Sequence, residues 1–225
     1  MIQNHIKKYE VVAVAVDVVV FTINENKLKV LLLQLKQTPY TDDWALPGGM
    51  VRLDESLDAA TKRHLEEKAG VKNIYLEQLA SFGEVGRDPR GRVISVAYYA
   101  LVTLEKTKLK TSDRYSAISW HDTQNLPTLA YDHKEIISTA TERLKSKIGY
   151  TNIVYALLPE KFTLTDLQKV YEIILNKTLD KRNFRKKILS LNLVKSAGEV
   201  LTGSANRPAQ LYSFTSNTPQ QAQIL

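Results

Sequence analysis

Residues 49–71 constrain the fold of this 225-residue chain more than any other stretch. A polar loop after Gly49 leads into a segment whose apolar residues recur at the spacing of one helix face. Those positions are Leu57, Ala60, Leu65 and Ala69. Gly70 is a favourable residue for ending a helix, because glycine adopts a left-handed backbone without steric cost. The sequence therefore predicts a helix over residues 56–69, preceded by a tight loop and packed on one side.

The glycine and charged residues of this stretch follow a known spacing. Five residues separate Gly49 from Glu55, seven more lead to Arg63, and Glu67 and Gly70 follow on the same segment. The pattern resembles the Nudix box, the loop–helix–loop signature of the Nudix hydrolase superfamily. The resemblance implies a Nudix-like α/β/α sandwich built on a mixed sheet.

Two acidic positions of the box are lost, because His64 and Lys68 stand where the superfamily has glutamates. Residues 64, 67 and 68 share one helix face, where three carboxylates would bind a Mg²⁺ ion that activates water. Only Glu67 remains there, and an ammonium beside it repels a divalent cation and can pair with Glu67 itself. Glu67 and Glu55 are therefore vestigial catalytic candidates, and Glu67 alone is a weak candidate for a metal ligand.

The composition excludes several classes of site. The chain has no cysteine, which rules out disulfides, thiolate metal sites and cysteine nucleophiles. The longest apolar run, Val11–Phe21, is too short to span a bilayer and contains Asp17, expected to be a hydrogen-bonded group at a strand edge or a subunit contact. We therefore expect a cytoplasmic protein with no membrane partner.

Runs rich in Val, Ile and Leu predict the strands of the first domain. The predicted strands cover Val11–Phe21, Leu28–Leu35, Ile74–Val85, Val93–Leu104 and a closing segment around Ile118–His121, and a helix follows from Tyr131 to Ile148. The polar residues Asn24–Lys27 predict a hairpin turn between the first two strands.

An arginine-rich loop separates the third and fourth of these strands. It is either a solvated connection or a phosphate clamp, because guanidinium groups suit pyrophosphate oxygens. The stretch from Arg87 to Tyr98 resembles the ADP-ribose pyrophosphatase branch of the Nudix proteins, which favours the clamp. Arg87 and Arg90 are therefore predicted to bind ligand, together with Gly48, Gly49 and Glu67.

The last third of the chain is more basic than the rest. From Tyr150 onward, ten Lys and Arg face five Asp and Glu, so this third carries +5 of the net charge of +7. Thr163–Asp166 resembles a capping box ahead of an amphipathic helix. Asp180 can cap a second helix, which is basic on one side and apolar at Phe184, Ile188 and Leu191. A basic module of this kind favours a polyanionic partner.

Two strand-like segments, Leu193–Lys195 and Gln210–Phe214, follow the basic helix across a Gly-, Ser- and Asn-rich stretch. Helix, turn, basic helix and hairpin is the element order of a winged helix, whose second helix enters the major groove of DNA. The predicted DNA-binding residues are Lys181, Arg182, Asn183, Arg185 and Lys186 in the basic helix, and Lys195 and Arg207 in the wing.

The domain order as a whole resembles the Nudix-related transcriptional regulators of the NrtR type, through residues 159–168 and 180–187 in particular. The resemblance implies a Nudix-like ligand-binding domain over residues 1–149 and a winged-helix domain over residues 150–225. It also implies a homodimer that binds operator DNA, an ADP-ribose-like nucleotide or a pentose metabolite as effector, and no cofactor.

The alternative is a working Nudix hydrolase that cleaves ADP-ribose or a related compound with Mg²⁺. A carboxylate outside the box would then have to complete the metal site, and Glu84 is one candidate. The loss of two acidic positions favours the regulator, because a sensor that destroys its effector loses the signal.

Overall fold

A mixed sheet forms the centre of the first domain. The structure is a computed structural model and describes residues 11–72, 74–107, 109, 115–201 and 208–225. Within these residues, seven strands form the sheet, with the path β3-β2-β1-β6-β5, while β4 pairs with β1 and β7 pairs with β2. The strands are β1 Ala13–Asn24, β2 Lys27–Leu35, β3 Trp44–Ala45, β4 Gly48–Met50, β5 Tyr75–Phe82, β6 Val93–Leu101 and β7 Tyr115–Asp122. Among the paired strands of this sheet that the structure describes, only β1 and β6 run parallel.

The first two strands form the predicted hairpin. Asn24 faces Lys27 across the turn, and Glu25 and Asn26 between them both have positive φ angles, 53° and 56°. Two such residues give a type I′ turn, whose twist matches that of the flanking strands.

Side chains of β1 alternate between two hydrophobic layers, as the pleat of a strand requires. Val16, Val18 and Val20 pack with helix α1 (Leu57–Ala69) on one face of the sheet. Val19 and Phe21 point to the other face, which helix α2 (His133–Ile148) covers. The predicted α/β/α sandwich is therefore confirmed.

The last third of the chain is a winged helix, as predicted. Helix α3 (Leu164–Leu175) begins at a capping box, in which Thr163 and Asp166 each accept a backbone N–H of the other. Helix α4 (Lys181–Ser190) is capped by Asp180, and its apolar residues Phe184 and Ile188 are buried. Strands β8 (Phe162–Thr163), β9 (Val194–Leu201) and β10 (Ala209–Phe214) form a small sheet in the order β8-β10-β9, and β9 and β10 make the wing.

Several predicted boundaries were wrong. The strand predicted at Leu193–Lys195 continues to Leu201, because pairing with β10 extends beyond the apolar residues. Strands β5 and β6 end three residues earlier than predicted, at Phe82 and Leu101. Asp17 does not lie at a strand edge: it is buried in the central strand β1, between β4 and β6.

The two parts of the chain share one hydrophobic core. Helix α2 packs against α3, and a single buried cluster contains Phe21 of β1, Leu144 of α2 and Leu167 of α3. No helix of the described residues is both long and apolar enough to cross a membrane.

The C-terminal residues 216–225 return to the segment that joins the two parts. The Asn152 side chain is fully buried and donates to the carbonyls of Ser216 and Thr218, at 3.4 and 3.2 Å. Its oxygen accepts the Gln220 N–H at 2.7 Å. Ile224 donates its N–H to Gly149 at 2.8 Å and buries its side chain. The chain end is thus fixed to the joining segment by backbone and side-chain hydrogen bonds.

We predict that Asn152→Ala destabilises the protein by about 1–3 kcal/mol, because it removes these bonds from buried backbone groups. At about 2–4 °C per kcal/mol for a chain of this size, the melting temperature falls by several degrees. Thermal denaturation followed by circular dichroism measures the change. The control is Asn125→Ala, at an exposed turn residue, and equal melting temperatures for the two variants would contradict the prediction.

Candidate ligand pocket and nucleic-acid interface

A cavity of about 670 Å³ opens between the Gly48–Met50 strand, helix α1 and the start of α2. Its lining combines apolar surface with charged side chains, among which cations outnumber acids. The charged and aromatic residues in the lining include Lys36, Arg52, Arg63, Lys68, Arg87 and Arg90, the acids Asp17, Glu67 and Asp88, and the rings of Tyr40, Tyr115 and Tyr131. The predicted ligand residues Gly48, Gly49, Glu67, Arg87 and Arg90 all lie in this lining.

A buried ion-pair network forms one wall of the cavity. Arg87 donates from Nε and Nη2 to both carboxylate oxygens of Asp132, at 2.7 and 2.6 Å, and its Nη2 lies 3.4 Å from Asp17. Ser95 donates to Asp17 at 2.6 Å. Burial alone would raise the pKa of the Asp17 carboxyl, but His133, Ser95 and Arg87 outweigh burial and lower that pKa to about 2. Asp17 therefore stays ionised inside the sheet.

The network also fixes the first turn of α2. His133 accepts the Leu46 N–H at Nδ1, at 3.0 Å, so its proton is on Nε2, which lies 3.5 Å from Asp17. Asp132 is the N-cap residue, yet its side chain makes no capping bond, because Arg87 engages both oxygens. The Arg87 guanidinium, predicted to clamp phosphate, is thus committed to protein carboxylates, and only 3% of its side chain is exposed.

Glu55 and Arg63 brace the box loop against helix α1. Arg63 donates from Nε to Glu55 at 2.9 Å and from Nη2 to the other oxygen of the same carboxylate. Glu55 also accepts the Arg52 N–H at 2.8 Å. The hydrogen bonds from Arg63 are the main cause that lowers the pKa of Glu55 to about 2. Glu55 therefore has a structural partner for each of its oxygens.

His64 fills the position of the first missing glutamate. Its side chain is buried, and Nε2 lies 3.1 Å from the Met50 carbonyl oxygen while Nδ1 lies 3.5 Å from an Arg63 nitrogen. A neutral ring that donates at Nε2 and accepts at Nδ1 satisfies both contacts. Burial, with the nearby charges of Lys68 and Arg63, lowers the pKa of His64 and keeps the ring neutral.

Lys68 fills the second missing position and does not form the ion pair with Glu67 that the sequence allows. Its ammonium donates to the Gly48 carbonyl and lies 5.5 Å from the centre of the Tyr115 ring. Glu67 instead has a long contact of 3.5 Å with Arg63, and 52% of its side chain is exposed. Lys68 contacts the Gly48 carbonyl and not Glu67 because its side chain points toward the glycine loop.

The box residues do not fit a divalent cation. The face that would need several oxygen ligands offers one carboxylate, one neutral imidazole and one ammonium. No group of three acidic or histidine side chains in the described ranges could hold a metal ion. Glu84, the outside candidate, is exposed and is not among the described residues that line the cavity.

Arg90 and two tyrosines line the cavity beside the ion-pair network, where the Tyr131 ring lies 5.1 Å from the His133 ring. The Tyr40 and Tyr131 ring centres are 4.5 Å apart, and the Arg90 guanidinium lies 5.4 Å from the Tyr131 ring. Asp88 accepts from Arg90 Nε and Nη2 at 2.9 and 2.7 Å, while 57% of the Arg90 side chain remains exposed. The sequence did not indicate either tyrosine as a ligand residue. Tyr40 belongs to none of the motifs described above. Tyr131 lies at a predicted helix start, where its φ of 55° is unusual for a residue with a Cβ.

The two predicted ligand glycines serve different purposes. A Cβ on Gly48 would lie 2.3 Å from the Val16 carbonyl, so this glycine is required by the pairing of β4 with β1. Gly49 has a φ of 153°, and a Cβ there would lie 2.7 Å from the His64 ring. Glycine at this position therefore brings the loop backbone against the two replaced box residues.

The exposed face of α4 is a second candidate site. Arg182 and Lys186 are one helical turn apart and lie opposite the buried residues Phe184 and Ile188. Lys181 and Asn183 are also exposed at the start of this helix. Within the described part of the chain, no carboxylate forms an ion pair with a cation of α4. The helix therefore presents uncompensated positive charge to solvent.

The other predicted DNA-binding residues have different positions. Arg185 turns toward α3 and donates to the Thr165 hydroxyl at 2.8 Å, so it links the two helices. Lys195 is exposed on the wing, opposite Ser213 of β10. Arg207 lies outside the described residues.

Two family models match the chain, one for the part with the cavity and one for the part with α4. Residues 13–140 match the family model of the NUDIX domain, and residues 154–214 match that of the NrtR DNA-binding winged helix domain. The chain is 38% identical over 203 residues to the ADPR responsive transcriptional repressor NtrR of Acinetobacter baylyi, covering 88% of this chain and 80% of the relative.

Solved structures give the same result. Shewanella oneidensis NrtR complexed with a 27mer DNA superposes with a TM-score of 0.80 at 36% identity, over 90% of this chain and 93% of that one. The NUDIX domain of the same protein complexed with ADP ribose has a TM-score of 0.55 at 36% identity, over 61% of this chain and 92% of that one. Because both domain models match in this order and 80% of a relative with 38% identity is covered, this chain belongs to the NrtR family of Nudix-related transcriptional regulators.

Proposed function

We propose that this protein is a transcriptional repressor that binds operator DNA through α4 and the wing, and that binding of ADP-ribose in the cavity relieves repression. One observation carries the proposal. A Nudix cavity whose box lacks the carboxylates for metal-assisted hydrolysis shares a core with a winged helix whose exposed helix is basic. Two relatives support the proposal. One is named as an ADPR responsive transcriptional repressor, and the structure of the other was solved in complex with DNA.

The cavity suits a dinucleotide-like ligand better than a simple pentose. Its volume of about 670 Å³ lies in the range of small-molecule sites. Tyr40 and Tyr131 offer ring faces for a planar base, and Arg90 keeps an exposed guanidinium beside them. A cationic lining matches a diphosphate, whereas a free pentose has no charge that would use it.

The winged helix suits duplex DNA. A helix that packs on one face and exposes Arg182 and Lys186 on the other can enter the major groove, while Lys195 of the wing approaches a phosphate. Neutralisation of phosphates by these cations would make binding strongly salt-dependent.

We further propose a homodimer that acts in the cytoplasm, where its DNA partner would be. A two-fold dimer presents two copies of α4 and therefore reads a palindromic operator. ADP-ribose can relieve repression only if it binds more tightly to a conformation in which the two helices no longer fit the two half-sites.

Hydrolysis of ADP-ribose is the less favoured alternative. It would need a Mg²⁺ ion held mainly by Glu67, while the Lys68 ammonium lies at a neighbouring position of the same helix face. Glu55 is fully engaged by Arg63 and the Arg52 backbone. We therefore propose that ADP-ribose is bound and released intact.

The DNA interface can be tested by substitutions in α4. A duplex enriched from random-sequence DNA by the wild-type protein serves as the probe. Arg182→Ala and Lys186→Ala each weaken binding to it by about tenfold or more, because each removes a charge-assisted contact to the duplex. Fluorescence anisotropy at two salt concentrations measures the change, and the logarithmic salt slope falls by about one per lost phosphate contact.

Lys134→Ala, at an exposed position of α2, is the matched control and keeps wild-type affinity. Failure to enrich any duplex, or wild-type binding by both α4 variants, would refute the assignment of α4 as the recognition helix.

Binding of the effector can be tested by substitutions of Tyr40. ADP-ribose binds the wild-type protein, and Tyr40→Ala weakens this binding by about tenfold through the loss of a stacking face, whereas Tyr40→Phe has little effect. Calorimetry measures binding, and chromatography shows whether the nucleotide remains intact with Mg²⁺ present. Steady release of AMP and ribose phosphate by the wild-type protein would support the hydrolase instead.

A further inference from the structure

We infer that the ammonium of Lys68 takes the place of a divalent cation in this cavity and binds the diphosphate of the effector directly, so that binding needs no metal ion. The inference rests on the proposed function and deepens it, because it names the group that recognises the charged centre of the ligand.

The position of Lys68 supports this role. Its ammonium is fixed between the Gly48 carbonyl and the Tyr115 ring, and both neighbours also line the cavity. It lies 3.3 Å from the point where a Cβ on Gly49 would sit, directly beneath the glycine loop. A loop with a side chain at residue 49 could not approach so closely. The fold thus places a cation at the cavity wall on the helix face where the Nudix box has its metal-binding carboxylates.

The charge of Lys68 is not cancelled by a nearby acid. Among the described residues, no carboxylate lies within ion-pair distance of its ammonium. Three guanidinium groups of the same lining are, in contrast, already paired: Arg63 with Glu55, Arg87 with Asp132, and Arg90 with Asp88. Lys68 therefore contributes a full positive charge to the cavity, while these arginines are partly neutralised.

The Gly48 carbonyl holds the ammonium without neutralising it. An ammonium has three N–H donors, and this carbonyl uses one of them. A carbonyl is uncharged, so the remaining donors and the net charge stay available to anionic oxygens. The backbone thus orients Lys68, and its ammonium can still donate hydrogen bonds to phosphate oxygens.

His64 completes the replacement. As a neutral ring that donates to the Met50 carbonyl, it ties the loop to α1 where the box would have a metal-binding glutamate. Its neutrality avoids a second charge beside Lys68, which would weaken the fixed position of the ammonium. Lys68 therefore supplies a fixed positive charge, and His64 holds the loop in place. A metal ion would provide both.

The replacement has a chemical consequence. A divalent ion bound to a diphosphate also binds and activates water, whereas an ammonium has no open coordination position for water. A diphosphate held by Lys68 would thus be recognised by charge and hydrogen bonds with no activated nucleophile beside it. Such a cavity would bind a diphosphate without cleaving it.

The test is calorimetric titration of the full-length protein with ADP-ribose and, separately, with inorganic pyrophosphate, in EDTA and in Mg²⁺. We expect the wild-type protein to bind both compounds equally well in the two buffers. Lys68→Met, which keeps the length but not the charge, should weaken both by about 10- to 100-fold in either buffer. Lys68→Glu should bind poorly in EDTA and regain affinity in Mg²⁺, because a second carboxylate then joins Glu67.

Lys62→Met, at an exposed position of the same helix outside the cavity, is the matched control and should bind as the wild type does. Circular dichroism checks that all variants fold. A wild-type protein whose binding of either compound disappears in EDTA, or a Lys68→Met variant with unchanged affinity for pyrophosphate, would overturn the inference. If pyrophosphate behaves as expected but ADP-ribose does not bind, the role of Lys68 stands and the proposed effector is wrong.

Discussion

The ion pair between Arg87 and Asp132 fixes the wall of the cavity to the first turn of α2. It is buried and bidentate, and through Asp17 and His133 it joins the central strand, the arginine loop and the first turn of α2. Removal of Arg87 would take a positive partner from the buried carboxylate of Asp17, and breaking such a pair is far more costly than the net contribution of an intact one. The network thereby defines one cavity wall and fixes the start of α2 at the same time.

Helix α2 connects the cavity wall to the winged helix. Its first turn belongs to the cavity wall, and its later residues Ile137 and Leu144 enter the same buried cluster as Leu167 of the winged helix. The C-terminal residues then fix the joining segment at Asn152. A ligand that shifts the first turn of α2 therefore acts on an element packed directly against the DNA-binding part, with no flexible linker between the two.

Much of this architecture could be predicted from the sequence, because it depends on local signals. Helix caps at Thr163 and Asp180, the hairpin turn at Glu25-Asn26 and the spacing of the box each specify structure within a few residues. The cavity could not be predicted in the same way, since its chemistry depends on partners distant in the chain. Arg87 was expected to be free for phosphate, and only the fold shows that Asp132 engages it. The sequence allows Lys68 to pair with Glu67, and only the fold shows that it contacts the Gly48 carbonyl instead.

In the proposed mechanism, occupancy of the cavity and binding of DNA are coupled. The most direct measurement is a calorimetric titration of ADP-ribose into the protein, alone and saturated with its selected duplex. Linkage requires that DNA weaken ADP-ribose binding by the same factor by which ADP-ribose weakens DNA binding. We predict equal factors of about fivefold or more, within the usual range of coupling between sites. Identical affinities for ADP-ribose with and without DNA would contradict the account, because the cavity and the winged helix would then act independently.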